Sequence, residues 1–499
     1  MVSLNNSLFT GLSGVRTAQV GLNVTGNNIA NVNTPGYSRQ RADITTKGVQ
    51  FSQNLTYGTG SDVNRIEALR ENLAEQAVTQ YEASNSYYDQ LSSSLQELEG
   101  LMPETDEVGL SKALGELFQG LEAATIRPTD TGVRRELLTL AGQLASEINA
   151  RDSDLNSEQV RTNQEIEDMV VRVNDLTSTI ADINRKISSV SKPAEDLIDQ
   201  RKNAIDELSK LVGVETFQLT NNQVQVNIKG SNNILVGREI RNTLGVQTDP
   251  ANNGYYDITV NVGASTTAIT NTIQTGEMGA KLQIRDKEIA TVRRSLDTLA
   301  AGLIIQFNNV HQTGTDLNGN TNLQFFDPGN AVVLGATAVG TIDPDRYQGV
   351  AGTISLSSDL IDPLNPGAGF DPNRLALSGT GAVGDNSTGL ALAQLRDNQN
   401  VIDSDLDGDP TNDSTVSFEK YYGGIVSDLG RRVRTEYDQA LTHEELLNQA
   451  NIRREEASGV NLDEEAVQLT QYQRAFEASS RFINVVNQLT GEILSRLGS

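Results

Sequence analysis

Apolar positions recur at alternating spacings of three and four residues at both ends of the chain. Near the start, Leu8, Leu12, Val15, Leu22 and Ile29 fall on one such stripe, with Gln19 and Gly26 where an apolar residue is missing. Near the end, Leu469, Tyr472, Phe476, Ser479, Ile483, Val486, Thr490, Ile493 and Leu497 keep the same alternation. A repeat of 3.5 residues predicts helices that each turn one seam toward a helical partner. The last helix carries its own start signal: Gly459 breaks the preceding pattern, and Asn461 with Glu464 makes a capping box. The two stripes together predict mutual pairing of the chain ends.

The first helix has a second face. Ser7, Gly11, Gly14, Ala18, Gly21 and Thr25 repeat one residue away from the apolar stripe, a ridge of small side chains that lets another segment approach closely. Each interior glycine costs roughly 1 kcal/mol against alanine, so Gly11, Gly14 and Gly21 weaken the isolated helix by about 3 kcal/mol. Such a helix needs packing from a partner. Asn23, Asn27, Asn28, Asn31 and Asn33 add amides that must find hydrogen bonds if buried, which fixes register. Thr34-Pro35-Gly36 predicts the end of the helix.

Between the ends the pattern is largely helical. Ile66–Leu101 is periodic, and Leu110, Leu114, Leu117, Leu121 and Ala124 repeat before Pro128. A stretch from Val133 to Val190 ends in the seam Ile166, Met169, Val173, Leu176, Ile180, Ile183, Ile187 and Val190. As one helix it would reach about 87 Å, a rod rather than a globule. Pro193 marks a reversal, and Leu197, Ile198, Ala204, Ile205, Leu208 and Leu211 return. Ile289–Val310 and residues 419–458 read as further helices. Two stretches differ in texture. Residues 214–278 alternate with period two, as in Val224, Val226, Ile228 and Ile258, Val260, Val262; residues 313–418 are rich in Gly, Asp, Asn and Pro around short apolar runs such as Ala331–Leu334. Both read as β-rich and held out from the rod. The fold class is mainly α with a β-rich insertion.

Composition narrows the functions. The 499 residues carry a formal charge of −26, a field that repels nucleic acid. Residues 1–42 contain Arg16, Arg39 and Arg41 and no acid before Asp43, so a charge-poor end meant for packing precedes an acidic, solvated body. There are no cysteines. No apolar segment long enough to span a bilayer occurs, and no apolar run precedes Arg16 in the manner of a cleaved secretory leader. His311 and His443, the two histidines, lack metal or triad spacing and read as structural. Asp403, Asp405, Asp407 and Asp409 with Gly408 open like a calcium loop, but Ser414 stands where the bidentate Glu belongs, so a solvated acidic loop is expected. Catalytic residues, cofactors and metal ligands are not expected.

Ser7–Gln40, with Gly11-Leu12-Ser13-Gly14 and Asn27-Asn28-Ile29-Ala30-Asn31, resembles the N-terminal signature shared by flagellar rod, hook and hook-associated axial proteins. The continuation Asn33–Gln40 resembles the FlgK family of hook-associated proteins more than hook or rod proteins, which are the alternative. So do Ser458–Glu465, Tyr472–Ser479, Leu197–Arg201 and Asn309–Gln312 with Asn318-Gly319. The resemblance implies a structural flagellar subunit at the hook-filament junction, exported by the flagellar type III apparatus and held before export by a chaperone on the C-terminal helix. It implies self-assembly into a ring or helical array, contact with hook protein and a second hook-associated junction protein, and neither nucleic acid nor membrane as partner.

The expected organisation runs from an N-terminal axial helix and extended linker (1–65) through a long helical rod (66–212) to the first part of a β-rich outer domain (213–279). A rod helix (280–312), the second outer part (313–418), another rod helix (419–460) and the C-terminal axial helix (461–499) follow. The expected axial interface is Leu8, Leu12, Val15, Leu22 and Ile29 against Leu469, Phe476, Ile483, Val486, Ile493 and Leu497, with Gly11, Gly14, Ala18 and Gly21 as a small-residue packing ridge.

Overall fold

The computed structural model describes the chain except for residues 1, 35, 53–54, 106, 190–194, 239, 330–346, 399–401, 404–414 and 498–499. The first helix, α1 (Val2–Ala30), leads into four strands: β1 (Gln40–Thr46), β2 (Val49–Ser52), β3 (Leu55–Gly58) and β4 (Ser61–Ala68). β1 pairs antiparallel with β4, and β2 with β3. The segment expected as an extended linker is therefore an arm that doubles back along itself. Ile66 sits opposite Ala42 in this arm, which is why α2 (Asn72–Gly100) begins later than the periodicity from Ile66 implies.

A strut organises the rest. After α3 (Leu110–Ile126), Asp130 caps α4 (Thr131–Ser188) by accepting from the backbone N–H groups of Gly132 and Val133. α4 runs 58 residues as one helix, about 87 Å at ~1.5 Å per residue. Val190 and Pro193, where the sequence predicts the reversal, lie outside the described residues; α5 (Glu195–Leu211) follows.

Two cores hang on opposite halves of α4. Leu137, Leu144 and Ile148 pack with α2, α3, α7 (Ile289–His311) and α9 (Phe418–Ser458). At the centre of this core Phe307 meets Phe325 and Phe326 at ring-centroid distances of 5.3 and 5.4 Å, with Phe118 and Phe418 at 6.1 and 6.5 Å. Farther along, Ile166, Val173 and Ile180 pack with Ile205 and Leu208 of α5 and with two three-stranded antiparallel sheets. These sheets are β5 (Val214–Gln218), β6 (Val224–Ile228) and β7 (Ile234–Val236), then β8 (Thr243–Thr248), β9 (Tyr256–Val262) and β10 (Ser265–Ala268). The period-two residues Val224, Val226, Ile228, Ile258 and Val260 point inward; Val262, at the end of β9, is exposed.

A single π turn at Ile284–Glu288 joins α6 (Gly276–Gln283) to α7, beside the boundary between the cores. Its Arg285 is wholly buried; the guanidinium donates to Asp286, to Asn163 of α4 and to the Tyr256 carbonyl. The wider turn sets a charged side chain across two packing units, a use typical of π bulges.

The stretch 313–418 departs from the expectation. Its described residues hold isolated bridges such as Phe326–Leu356, short 3-10 turns, α8 (Ser387–Gln394) and the two-residue pair β11 (Ile402–Asp403) with β12 (Thr415–Val416). Phe325, Phe326, Ile354, Leu360, Leu375, Leu377 and Leu392 belong to the helical core, not to the sheets around α5. The two stretches expected to form one outer β domain are thus separate: one is a sheet unit, the other an irregular cover over the helices. Apolar runs of two or three residues between Asp, Asn, Gly and Pro are too short to make strands but long enough to cap a core. Ala331–Leu334 and most of the acidic loop lie outside the described residues.

A last helix, α10 (Leu462–Leu497), follows the break at Gly459 and runs antiparallel along α1.

Candidate assembly interface and its joint

The seam between α1 and α10 is built from the small-residue ridge. A methyl placed on Gly21 would lie 2.5 Å from the Tyr472 ring, one on Gly14 2.6 Å from Ser479 Oγ, and one on Gly11 2.8 Å from Ile483 Cγ1. Gly11, Ala18 and Gly21 are buried and Gly14 is half-buried. This differs from the expected contact of stripe on stripe. Leu8, Val15, Leu22 and Ile29 flank the seam half-buried, and Leu12 is 38% exposed. On α10, Val486 is buried, Leu469 and Ile483 are half-buried, and Phe476 and Ile493 are exposed; the Leu497 side chain lies outside the described residues. Glycine wins the seam because helices touching through small residues come closer than leucines allow.

The displaced apolar residues form an open band. Phe9 is 62% exposed beside Leu12, and Phe482, Val485, Leu489 and Ile493 follow one another at helical spacing along the outer face of α10. Among the described residues these side chains remain exposed. The other buried side of α1 meets the arm, where Ser61 N–H donates to Ser13 Oγ at 3.2 Å and Thr17 Oγ1 lies 3.0 Å from Ser61 Oγ.

At the inner end of the seam a polar knot fixes the register. Asn28, 1% exposed, uses all four of its hydrogen-bonding positions. Its Nδ2 donates to Gln40 O (2.9 Å) and Glu465 Oε2 (3.0 Å), and its Oδ1 accepts from Gln40 N (2.9 Å) and the Tyr37 hydroxyl (2.9 Å). Glu465, 2% exposed, also accepts from Arg39 Nε at 2.7 Å, while Arg39 Nη1 reaches Glu464 at 2.6 Å. Burial, reinforced by Asp196, Asp199 and Glu465, pushes the Tyr37 phenol far up, so it stays a donor. A polar group that pairs in one alignment only is what a repetitive seam needs against slippage.

The knot continues into the body. Ser38 donates through both N–H and Oγ to Asp199 of α5, at 3.2 and 2.9 Å. Arg70 spans Asp199 (2.8 Å) and Glu195 (2.6 Å), and Gln40 donates to Asp196 at 2.8 Å. Burial alone would lower the Arg70 guanidinium, but Asp199 and Glu195 outweigh it and raise it. Backbone bonds from Arg39 N to Ser458 O and from Leu69 N to Arg39 O complete the joint. Three sequence segments that carry the resemblance, Asn33–Gln40, Leu197–Arg201 and Ser458–Glu465, therefore meet at one place. Glu465, Asp199 and Arg70 were not expected there. Their signal in the sequence is charge beside the charge-poor ends; only the fold shows which charges pair.

Among the described residues no helix is long and apolar enough to cross a membrane, and no group of His, Asp and Glu side chains is placed to hold a metal ion. His311 is buried, its Nδ1 2.7 Å from Leu323 O and its Nε2 accepting from Ala376 N–H at 2.9 Å. His443 stacks on Tyr88 at 4.3 Å.

A helical body that carries both chain ends as one antiparallel pair, with an apolar band left open, is a subunit of a larger axial assembly. The patterns of known families agree at both ends: residues 8–37 match the flagella basal body rod protein family, and residues 453–496 match the flagellar basal body rod FlgEFG protein C-terminal family. Residues 95–326 match the flagellar hook-associated protein FlgK helical domain. Along nearly its whole length the chain is similar to flagellar hook-associated protein 1, and it is a structural protein of the flagellum. It is 26% identical over 529 residues to flagellar hook-associated protein 1 of Bacillus subtilis, covering 99% of each chain. It is 24% identical over 553 residues to the protein of that name in Escherichia coli, again covering 99% of each. The fold matches the flagellar hook junction protein FlgK of Burkholderia pseudomallei with a TM-score of 0.62 at 16% identity, over 78% of this chain and 100% of that one. This similarity implies assembly with other flagellar components.

Proposed function

We propose that this chain is the subunit that joins hook to filament. It leaves the cell through the flagellar type III apparatus, with a chaperone holding α10 beforehand, and adds to the distal end of the hook. Copies then close into a ring or helical array, with hook protein on one side and a second hook-associated junction protein on the other. The role is mechanical, with no catalytic step. The observation that carries this reading is the open apolar band on the terminal pair. Phe9, Leu12, Phe482, Val485, Leu489 and Ile493 make a surface that a lone subunit would expose to water and that neighbouring pairs would bury. A subunit with two different faces propagates into rings or helical arrays, and the acidic body remains on the outside.

The test is genetic. Cells lacking the protein are expected to keep their hooks and to release filament subunits unassembled; the wild-type chain restores filaments, and Leu489→Glu, at an exposed position, does not. Loss of the hooks themselves would point instead to a hook or rod protein. Full rescue by Leu489→Glu would remove the apolar band from the mechanism.

A further inference from the structure

The open apolar residues of the terminal pair divide between two faces. An α-helix turns about 100° per residue, so spacing in sequence fixes which side chains share a face. On α1, Gly11 and Gly14 face α10, and Leu8, Leu12 and Val15 lie about a quarter turn away from them. Farther along, Leu22 and Ile29 keep the same offset from Gly21 and Asn28. On α10, Ser479 and Ile483 face α1, with the buried Val486 on the same side. Phe482, Val485 and Leu489 also lie about a quarter turn away, but in the opposite sense.

The two helices run antiparallel, with Gly11 beside Ile483 and Asn28 bonded to Glu465. Opposite senses on antiparallel helices place the two stripes on opposite faces of the pair. The arm fits this arrangement. It covers the side of α1 that carries Ser13 and Thr17, both buried, so α1 opens its leucines on the side away from the arm. The stripe of α10 opens on the side of the arm, with Phe482, Val485 and Leu489 44%, 52% and 49% exposed.

We infer that copies stack front to back through these stripes: Phe482, Val485 and Leu489 of one copy seat against the Leu8, Leu12, Val15 and Leu22 stripe of a second. This stacking rests on the assembly reading above and names what meets the open stripe. Geometry selects a second copy as occupant. With the stripes on opposite faces, each copy presents to one neighbour what the other neighbour presents to it, and addition continues; stripes on one face would close a dimer. Charge selects the same occupant. α1 carries one charged side chain, Arg16, and α10 carries five acids against three bases, with Glu464 and Glu465 already paired to Arg39. In a chain of net charge −26, this near-neutral pair lets two copies approach without the repulsion between their bodies. The stripe of α10 also abuts an existing contact. A methyl on Gly11 would lie 3.0 Å from the Phe482 ring, so incoming leucines extend the seam between α1 and α10.

Cross-linking of the full-length chain tests this. The sequence has no cysteine, so introduced thiols report alone. Val485→Cys is produced together with Leu8→Cys, Leu12→Cys or Leu22→Cys in turn, so that the axial offset between copies does not decide the result. Isolated flagella are then treated with a short bis-maleimide. A covalent dimer is expected from at least one mixture and from no variant alone. Leu12→Cys mixed with Asn487→Cys, an exposed position on the same face as the α1 leucines, is expected to give none. Dimers from Val485→Cys alone would mean that α10 meets α10. Dimers from the Asn487→Cys mixture would mean that copies meet along one face. Either result overturns the inference. No dimer from any mixture, in cells that grow filaments, overturns it and leaves the junction reading standing. Absence of the wild-type chain from isolated flagella sinks the junction reading instead. The same mixtures of purified chain at high concentration then judge the stacking, as they do for any variant that cells fail to incorporate: dimers uphold it, and their absence overturns it.

Discussion

The helical body and the terminal pair are both built from amphipathic helices, yet they finish differently. In the body, Phe118, Phe307, Phe325, Phe326 and Phe418 are wholly buried, with leucines from six helices around them. In the pair, the apolar side chains that reach burial among the described residues are Ala18, Val24 and Val486, while Phe9, Phe482 and Val485 stay in water. The body satisfies its hydrophobic residues from its own sequence. In the assembly proposed above, the pair is part of a core whose remainder neighbouring subunits supply; within the chain it is held by close contact at glycines and the knot around Asn28. Stability and specificity are thus assigned to different places: dispersion and burial in the body, hydrogen bonds of one register in the pair.

The largest effect that would break this contrast belongs to the body. Phe307→Ala is expected to cost about 3–5 kcal/mol, read as a fall in the urea midpoint; a loss under about 1 kcal/mol would mean the aromatic centre is not what holds the body. Next is Glu465→Ala, which strands the buried Asn28 amide and Arg39. Loss of one partner from a buried pair costs about 3 kcal/mol. It should appear as lost hydrogen-exchange protection in α1 and α10 with the body unmoved, and spread of that loss into α4 would join the two regions into one unit.

The body also has a pH signature. Burial pushes the His311 imidazole down to about 4 from its ordinary 6.5. Its neutral form is required, since Nε2 accepts from Ala376 N–H. The unfolded chain takes up the proton first, so the His311 contribution is complete above pH 6.5 and is lost as pH falls toward 4, by up to about 3 kcal/mol at ~1.4 kcal/mol per unit. Asp297, which burial raises to about 6, runs in the opposite sense over an overlapping range. The comparison with His311→Gln isolates the histidine: the gap in urea midpoint between the two chains should narrow from about pH 7 to about pH 4, and a constant gap would show a ring that titrates normally.

Smaller still is Gly21→Ala. It should raise the helicity of an isolated 2–30 peptide, by about 1 kcal/mol of propensity. In the full chain it should lower the stability of the pair by about 1 kcal/mol net, because its methyl collides with Tyr472 and overpacking costs ~1–3 kcal/mol. Gains in both settings would show that the seam is looser than its geometry. The smallest expected change is in the body of a chain lacking residues 462–499: its thermal midpoint should move by no more than about 2 °C, the scale of a fraction of a kcal/mol. A collapse of its cooperative transition would erase the distinction between the regions.

Much of this was legible in the residues. The helix from 133 onward, the start of α10 at its capping box and the inward residues of β6 and β9 all follow from period and punctuation, because each is a local pattern repeated many times. The ridge of Gly11, Gly14, Ala18 and Gly21 was visible too, but not its rank: spacing shows two faces, and only packing decides that the small one meets α10. The knot was less legible. Asn28, Arg39, Asp199 and Glu465 are ordinary polar residues far apart in sequence, and their pairing depends on where two turns and an arm place them. The cover at 313–418 misled because turn-forming residues flank short strands and irregular coverings alike.

The bond between Asn28 and Glu465 joins residues 437 positions apart, one near each end of the chain. Three of the four hydrogen bonds of Asn28 stay within the first segment, to Gln40 and Tyr37, and only the fourth crosses to α10. The knot therefore works in two stages: α1 and its turn hold the amide in place without α10, and the carboxylate of Glu465 then chooses the alignment at which α10 docks.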